Sequence, residues 1–293
     1  MHLKDNIVFV EGLNRGRFPF SNSLLVKGLR KTMLIDVGAG FDVLIRLKDR
    51  VDLVVITHLH VDHFSLSYLF KGKKVYVPTV ESKYRKLVDL AYRYLSEEMV
   101  DTWLDFVRRV VGARDPYFTD VYKEGDVFDL GGIEVQPIHA PGHTAAHHVM
   151  LIDNDVVYGA DIDLTSFGPW YGHVESSIEE FKKSIRRVME LKPKIYVSGH
   201  KAPIKGRGKI LEELEKYAEK FDETRMKILK ALKEPKSLDE LVKMNLIYYR
   251  KPYAPKLLEY WEKNMILHHL KSLIKQNIVE KMKNEKYVAK IKA

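Results

Sequence analysis

Four times along this 293-residue chain a short apolar, β-branched run stops at a histidine or an aspartate. VDLVVI leads into THLHVDH (57–63), IEVQPI into HAPGH (139–143), DVVY into GAD (159–161), and KIYV into SGH (198–200). Such runs, bounded by Gly, Asn and Asp, read as strands. The loop leaving the C-terminal end of a strand in an α/β sheet is a favoured ligand position. The chain must therefore fold so that several strand ends share one edge.

The first of these loops places three of the twelve histidines and an aspartate within six positions. His58, His60 and His63 offer imidazole nitrogens and Asp62 a carboxylate, donors that suit zinc, iron or manganese. A single histidine in a polar turn reads as solvated. H-x-H-x-D-H behind an apolar strand, with His143, Asp161 and His200 in the same arrangement, reads as a metal site. In an extended loop, side-chain alternation lets His58 and His60 face one position while Asp62 and His63 serve a second. Asp163 competes with Asp161, which is preferred because it follows its strand directly.

T-H-x-H-x-D-H, P-G-H-T, an aspartate after an apolar strand and S-G-H, in this order, resemble the metallo-β-lactamase superfamily over residues 1 to about 222. LIDVG (34–38) is similar to its early strand-end aspartate. The resemblance implies an α+β fold, a four-layer αβ/βα sandwich with two divalent ions at its edge, zinc first and iron or manganese as alternatives. One ion would take His58, His60 and His143, and the other Asp62, His63 and His200. Asp161 would bridge them, and Asp62 would also orient the hydroxide between them. Asp36 and His147 would steady the ligands. Two ions roughly 3.5–4 Å apart ionise water near neutral pH for attack on a carbonyl carbon or a phosphorus. Two departures bear on the branch. DHFS stands where many members read D-H-x-G, which places Phe64 and Ser65 at the pocket lip. The absence of cysteine removes the branches that use a thiolate ligand.

The remaining sequence sets expectations for substrate and partners. Residues 81–114 have helical spacing (Leu87, Leu90, Ala91, Tyr94) and read as two helices, either a lid or a core-completing or dimer-forming hairpin. The aromatic loop FGPWYGH offers Trp170, Tyr171 and His173 as a substrate pocket. Ser177 and Glu180 form the pattern of a capping box. The net charge of +9 lies entirely in residues 223–293, with 17 basic and 8 acidic side chains. That segment reads as helix, helix, long helix and a hairpin turning at Asn284, which resembles the winged-helix unit of β-lactamase-like endoribonucleases. The expected organisation is a catalytic domain over 1–222 and a basic domain over 223–293.

Three functions follow as expectations. The first is a hydrolase of a small ester, thioester or lactone, related to glyoxalase II. The second is an endoribonuclease on single-stranded RNA held by residues 223–293, since a basic surface suits a phosphate backbone. The third is a nucleic-acid-binding regulator with an inactive hydrolase domain. No run approaches 18 apolar residues, and the N-terminal IVFV is too short for a signal peptide, so a soluble cytoplasmic protein without a membrane partner is expected. A homodimer is a further expectation, and the 30% charged residues point toward a thermophile.

Overall fold

The computed structural model describes residues 1–251 and 254–290. In chain order the elements are β1 (His2–Lys4), β2 (Ile7–Val10), β3 (Ser23–Lys27), β4 (Thr32–Ile35), α1 (Phe41–Leu44), β5 (Leu53–Val55), α2 (Val61–Phe64) and β6 (Lys74–Pro78). Then come α3 (Leu87–Tyr94), α4 (Val100–Phe106), β7 (Asp120–Tyr122), β8 (Phe128–Asp129), β9 (Glu134–His139), β10 (His148–Ile152) and β11 (Val156–Tyr158). The last third holds α5 (Ile178–Glu190), β12 (Ile195–Val197), β13 (Ile204–Lys205), α6 (Arg207–Ala231), α7 (Leu238–Lys243), α8 (Pro255–Lys275), β14 (Val279–Lys281) and β15 (Tyr287–Ala289).

A seven-stranded sheet runs β1-β2-β3-β4-β5-β6-β7 and a six-stranded sheet runs β13-β12-β11-β10-β9-β8. The pleat sorts their side chains. In β4, Met33 and Ile35 point toward the second sheet while Leu34 points out, and in β11 Val156 and Tyr158 point in while Val157 points out. The inward set forms one core between the sheets. The outward set of the first sheet packs under α1, α3 and α4, and that of the second under α5 and α6. Strands that carry apolar residues on both faces need a helical layer on each outer side, and the four-layer αβ/βα sandwich results.

The 81–114 segment forms α3, α4 and a further helical turn over Val107–Val111. Leu87, Leu90, Trp103, Leu104 and Phe106 are buried in the outer core, so most of its large apolar side chains serve packing. At α5, Ser177 accepts from the Glu180 amide as expected, but the Glu180 carboxylate pairs with Lys183, and only half of the box forms.

The expected boundary near residue 222 falls inside α6, a single helix of 25 residues. Its second half, with α7, α8 and the antiparallel β14–β15 hairpin, builds a small core around Ile228, Leu232, Leu241, Leu270 and Tyr287. The turn between the two strands contains Asn284, and residue 291 lies outside the described residues. From α8, Leu257, Leu258 and Trp261 enter the outer core of the first sheet, and Met265 enters that of the second. Among the described residues no helix is long and apolar enough to cross a membrane.

Candidate metal centre

Five strands deliver the site, and they come from both sheets. β4 ends one residue before Asp36, β5 leads to His58 and His60, β9 to His143, β11 to Asp161 and β12 to His200. The 56–63 segment is not extended throughout. The backbone turns at His60 into the one-turn helix α2, with the His63 amide donating to the His60 carbonyl at 2.9 Å. That turn carries Asp62 and His63 to their own side of the site. Phe64 is fully buried in the outer core and does not form a lip.

The side chains gather in two sets. His58, His60, His143 and Asp161 can direct ligand atoms that all lie within 4.8 Å of one another, and Asp62, His63 and His200 do the same. Asp161, of the first set, also reaches two members of the second. Its Oδ2 lies 2.7 Å from His143 Nε2 and 3.5 Å from His58 Nε2, and its Oδ1 lies 2.9 Å from His63 Nε2 and 3.2 Å from His200 Nε2. Asp62 Oδ2 stands 3.4 Å from His200 Nε2. Asp163 is turned away, its carboxylate accepting from the Thr165 amide.

The donor set fits divalent ions. His58 Nε2, His63 Nε2 and Asp161 Oδ1 are buried and make no directed hydrogen bond within the protein. Buried polar atoms without partners are costly, and three of them facing one small space mark a place built for a charge. The far ring nitrogens are tied down, as metal histidines require. His63 Nδ1 lies 2.7 Å from Asp36 Oδ2, His143 Nδ1 lies 2.9 Å from the Trp170 carbonyl, and His200 Nδ1 lies 2.6 Å from the Gly16 carbonyl. His58 Nδ1 meets Thr57 Oγ1 at 3.1 Å. His60 differs: its Nδ1 faces the site, 2.8 Å from His143 Nε2, and its buried Nε2 has no hydrogen-bond partner.

Asp36 and His147 act on this frame from outside. Asp36 sits at φ 58°, a left-handed conformation that aspartate tolerates. Its carboxylate accepts from the Thr57 amide at 2.7 Å, the Thr57 hydroxyl at 2.9 Å, Tyr158 at 3.0 Å and His63. His147 donates from Nδ1 to the Ala140 carbonyl and accepts the Asp161 amide on Nε2 at 3.1 Å. Two glycines allow close approach. A Cβ on Gly142, at φ 128°, would lie 2.2 Å from the Phe181 amide nitrogen, and one on Gly38 would lie 1.5 Å from the Asp62 carbonyl oxygen.

Charge in the site is divided. Burial pushes His58 well below its ordinary value, helped by His63 and His60, and burial with His143 lowers His60 to about 4. Burial also opposes the charged form of His63, yet Asp161, Asp36 and Asp62 together raise it well above the ordinary value. His200 is raised against the same penalty by Asp161 and Asp62. Burial would raise both carboxylates, but His63 and the other facing histidines hold Asp62 and Asp161 below the usual range.

The expected aromatic pocket is only partly formed. Trp170 is half-buried, its ring 5.6 Å from that of His143. His173 is buried, packed 4.7 Å from the His60 ring and 4.2 Å from that of Tyr94. Tyr171 does not line the site; it is buried toward α6 and α8, with its hydroxyl 2.9 Å from His269 Nε2 and its ring on Phe221. Sequence reasoning missed the contacts behind His60. Tyr94 from α3 packs on that ring, and its hydroxyl lies 3.3 Å from Glu81, a fully buried carboxyl that burial pushes up to about 7. Arg93 joins Glu81 to Glu175 at 2.8 Å on each side. Nothing local to these residues signals the network, because it links three separate stretches of chain.

Comparison with known proteins agrees with this geometry. The family model of the metallo-beta-lactamase superfamily matches residues 16–200. A metallo-beta-lactamase fold-containing protein of Sulfurisphaera tokodaii, ST1585, is 29% identical over 201 residues, covering 64% of this chain and 74% of that protein. The acyl-coenzyme A thioesterase MBLAC2 of Bos taurus is 28% identical over 211 residues, covering 62% and 70%. The crystal structure of a metallo-beta-lactamase family protein from Thermus thermophilus, TTHA1429, aligns with a TM-score of 0.75 at 19% identity, over 99% of this chain and 100% of that one. With two histidine and aspartate sets converging at the edge of an αβ/βα sandwich, the chain belongs to the metallo-β-lactamase superfamily, whose members are metal-dependent hydrolases.

Proposed function

We propose that this chain is a binuclear metal-dependent hydrolase of a small acyl substrate, a thioester in first place. The observation that carries the reading is Asp161, which turns one carboxylate oxygen toward each of two ligand sets, each with a buried inward nitrogen, His58 Nε2 and His63 Nε2, that makes no hydrogen bond. His58, His60 and His143 would hold one ion, Asp62, His63 and His200 the other, with Asp161 shared. When bound, the ions, zinc before iron or manganese, polarise the scissile carbonyl and make water a stronger acid. The chain's own part is to orient. Asp62 can accept a hydrogen bond from the attacking water and aim its lone pair, while Asp36 and Thr57 keep the ligand loop from turning. Trp170, beside His143, offers an apolar wall to an acyl chain. The relative named for acyl-coenzyme A thioester hydrolysis supports the choice of bond.

The test is thiol release from acyl-coenzyme A esters of graded chain length by the zinc-, manganese- or iron-loaded protein, followed colorimetrically beside an Asp62→Ala, His63→Ala double variant. Release that vanishes in the variant supports the reading, and no release from any thioester, ester or lactone removes it. The charge of residues 223–293 favours a second reading, an endoribonuclease whose winged-helix unit holds single-stranded RNA. End-labelled RNA incubated with the same two proteins decides that one, since cleavage must appear with the wild type and vanish with the variant.

A further inference from the structure

The aromatic loop that supplies only part of a pocket is held in another way. Each of its four consecutive residues 170–173 is gripped by the C-terminal unit. The Trp170 indole donates to the Tyr248 hydroxyl at 2.7 Å, and its ring meets Trp261 edge-on at 5.6 Å. The Tyr171 hydroxyl pairs with His269, the Gly172 carbonyl accepts from the Asn264 amide at 2.8 Å, and the His173 carbonyl meets His268 Nε2 at 2.8 Å. Four of these partners (Trp261, Asn264, His268 and His269) lie along one helix, α8. Asn264 is buried, so its bond to Gly172 is not shared with solvent.

The other side of the same loop meets the metal centre. The Trp170 carbonyl fixes the His143 ring through Nδ1. The His173 ring packs against His60, the one candidate ligand whose far nitrogen has no hydrogen-bond partner, so that on the side away from the site its orientation depends on ring packing. Both histidines belong to the same ligand set, with His58 and Asp161. The opposite set is steadied by Asp36 and Gly16, which the C-terminal unit does not touch at these atoms.

We propose that the C-terminal unit is a positioning element for one of the two metal positions: Tyr248 and α8 set loop 170–173, and that loop sets His143 and His60. This rests on the metal reading above. Tyr248 and Asn264 are positioning residues two steps removed from the ligands. Outer partners of metal ligands are worth about 10–100-fold in affinity, and about tenfold is expected for residues one step further out.

The experiment uses the full chain, stripped of metal and titrated with cobalt(II) against a chromophoric chelator, with the visible spectrum of the cobalt form as a second readout. Tyr248→Phe removes one oxygen and keeps the ring, Asn264→Ala removes the bond to Gly172, and Lys275→Ala on the exposed side of α8 is the control. Expected are two ions bound by the wild type and the control. In each of the two variants one ion should bind about tenfold more weakly, with an altered cobalt spectrum, and the other ion should be unchanged. Folding is checked by circular dichroism, and if Asn264→Ala fails to fold, the near-isosteric Tyr248→Phe decides alone. Variants that bind both ions with wild-type affinity and spectrum overturn the positioning role alone. A wild-type chain that takes up no ion overturns the metal reading and this inference with it.

Discussion

Replacing Asp36 by asparagine isolates one link in the support of the ligands. Asparagine tolerates the left-handed φ of 58° and keeps the size of the side chain. What changes is hydrogen-bond polarity. Oδ1 of Asp36 accepts from the Thr57 amide, and Oδ2 accepts from Tyr158 and faces His63 Nδ1. An amide that keeps its oxygen on Thr57 turns its NH2 toward Tyr158 and His63. The Tyr158 hydroxyl can accept one of these protons because it also donates to the Asn22 carbonyl at 2.7 Å. His63 must then accept the other on Nδ1, which moves its own proton to Nε2, the atom that faces Asp161 Oδ1. The flipped amide is worse, since it would set an NH2 against the Thr57 backbone N–H at 2.7 Å.

Above the raised value of His63, where its ring is neutral in the metal-free chain, the fold should therefore lose little, about 1 kcal/mol for one re-paired buried network. Below it the fold should lose more, because a buried imidazolium loses one of its carboxylates. The ion at Asp62, His63 and His200 should bind about 10–100-fold more weakly, or about 1.4–2.7 kcal/mol, because its nitrogen carries a proton. Chelator-competition titration of both ions, with urea unfolding of the metal-free protein, measures the two quantities. Equal affinity of wild type and Asp36→Asn for both ions, within twofold, would refute the tautomer argument.

Metal uptake should strengthen as pH rises, because His63 and His200 are raised above their ordinary value and must each give up a proton to bind; calorimetry in buffers of different ionisation enthalpy counts those protons. The same pairing predicts the stability of the metal-free chain. The histidine contribution is complete below about pH 6.5 and lost as pH rises through their raised values. The carboxylate contribution of Asp62 and Asp161 is present above about pH 3.8 and lost as pH falls through their lowered values, so chelated protein should unfold most steeply outside this window. Gly199→Ala would set a Cβ 2.9 Å from His63 Cε1 and 3.3 Å from Asp161 Oδ1, and should weaken metal binding; unchanged affinity would show that the two strand ends move apart freely. Ser177→Ala should cost about 1 kcal/mol of stability in urea unfolding through the lost α5 cap, with metal affinity unaffected, because among the described residues the hydroxyl's hydrogen bond is the one from the Glu180 amide.

Much of the frame was legible in the chain itself. Period-two alternation in TMLI and VVY assigns each residue a face, and the polar break after each apolar run marks where a strand stops. That is local information, carried by side chains two residues apart, and the gathering of His58, His60, Asp62, His63, His143, Asp161 and His200 follows from it once the strands lie side by side. The preference for Asp161 over Asp163 rests on the same ground: the first follows the strand directly, and the second is drawn into its own turn with Thr165.

Tertiary structure decided what depends on distant partners. The turn at His60 that separates Asp62 and His63 from the other ligands reads in sequence like more extended loop. Tyr171 is indistinguishable from Trp170 as an aromatic loop residue until His269, 98 positions later, takes its hydroxyl. The same holds for the chain of Glu81, Arg93 and Glu175, and for an α6 that runs through residue 222 because its apolar side chains find cores on both halves of its length. The sequence by itself determined which residues could bind metal and on which strand ends they stand. Only the packed chain decided how those residues are held, because a buried hydrogen bond needs both of its partners, and here the partners lie far apart in the sequence.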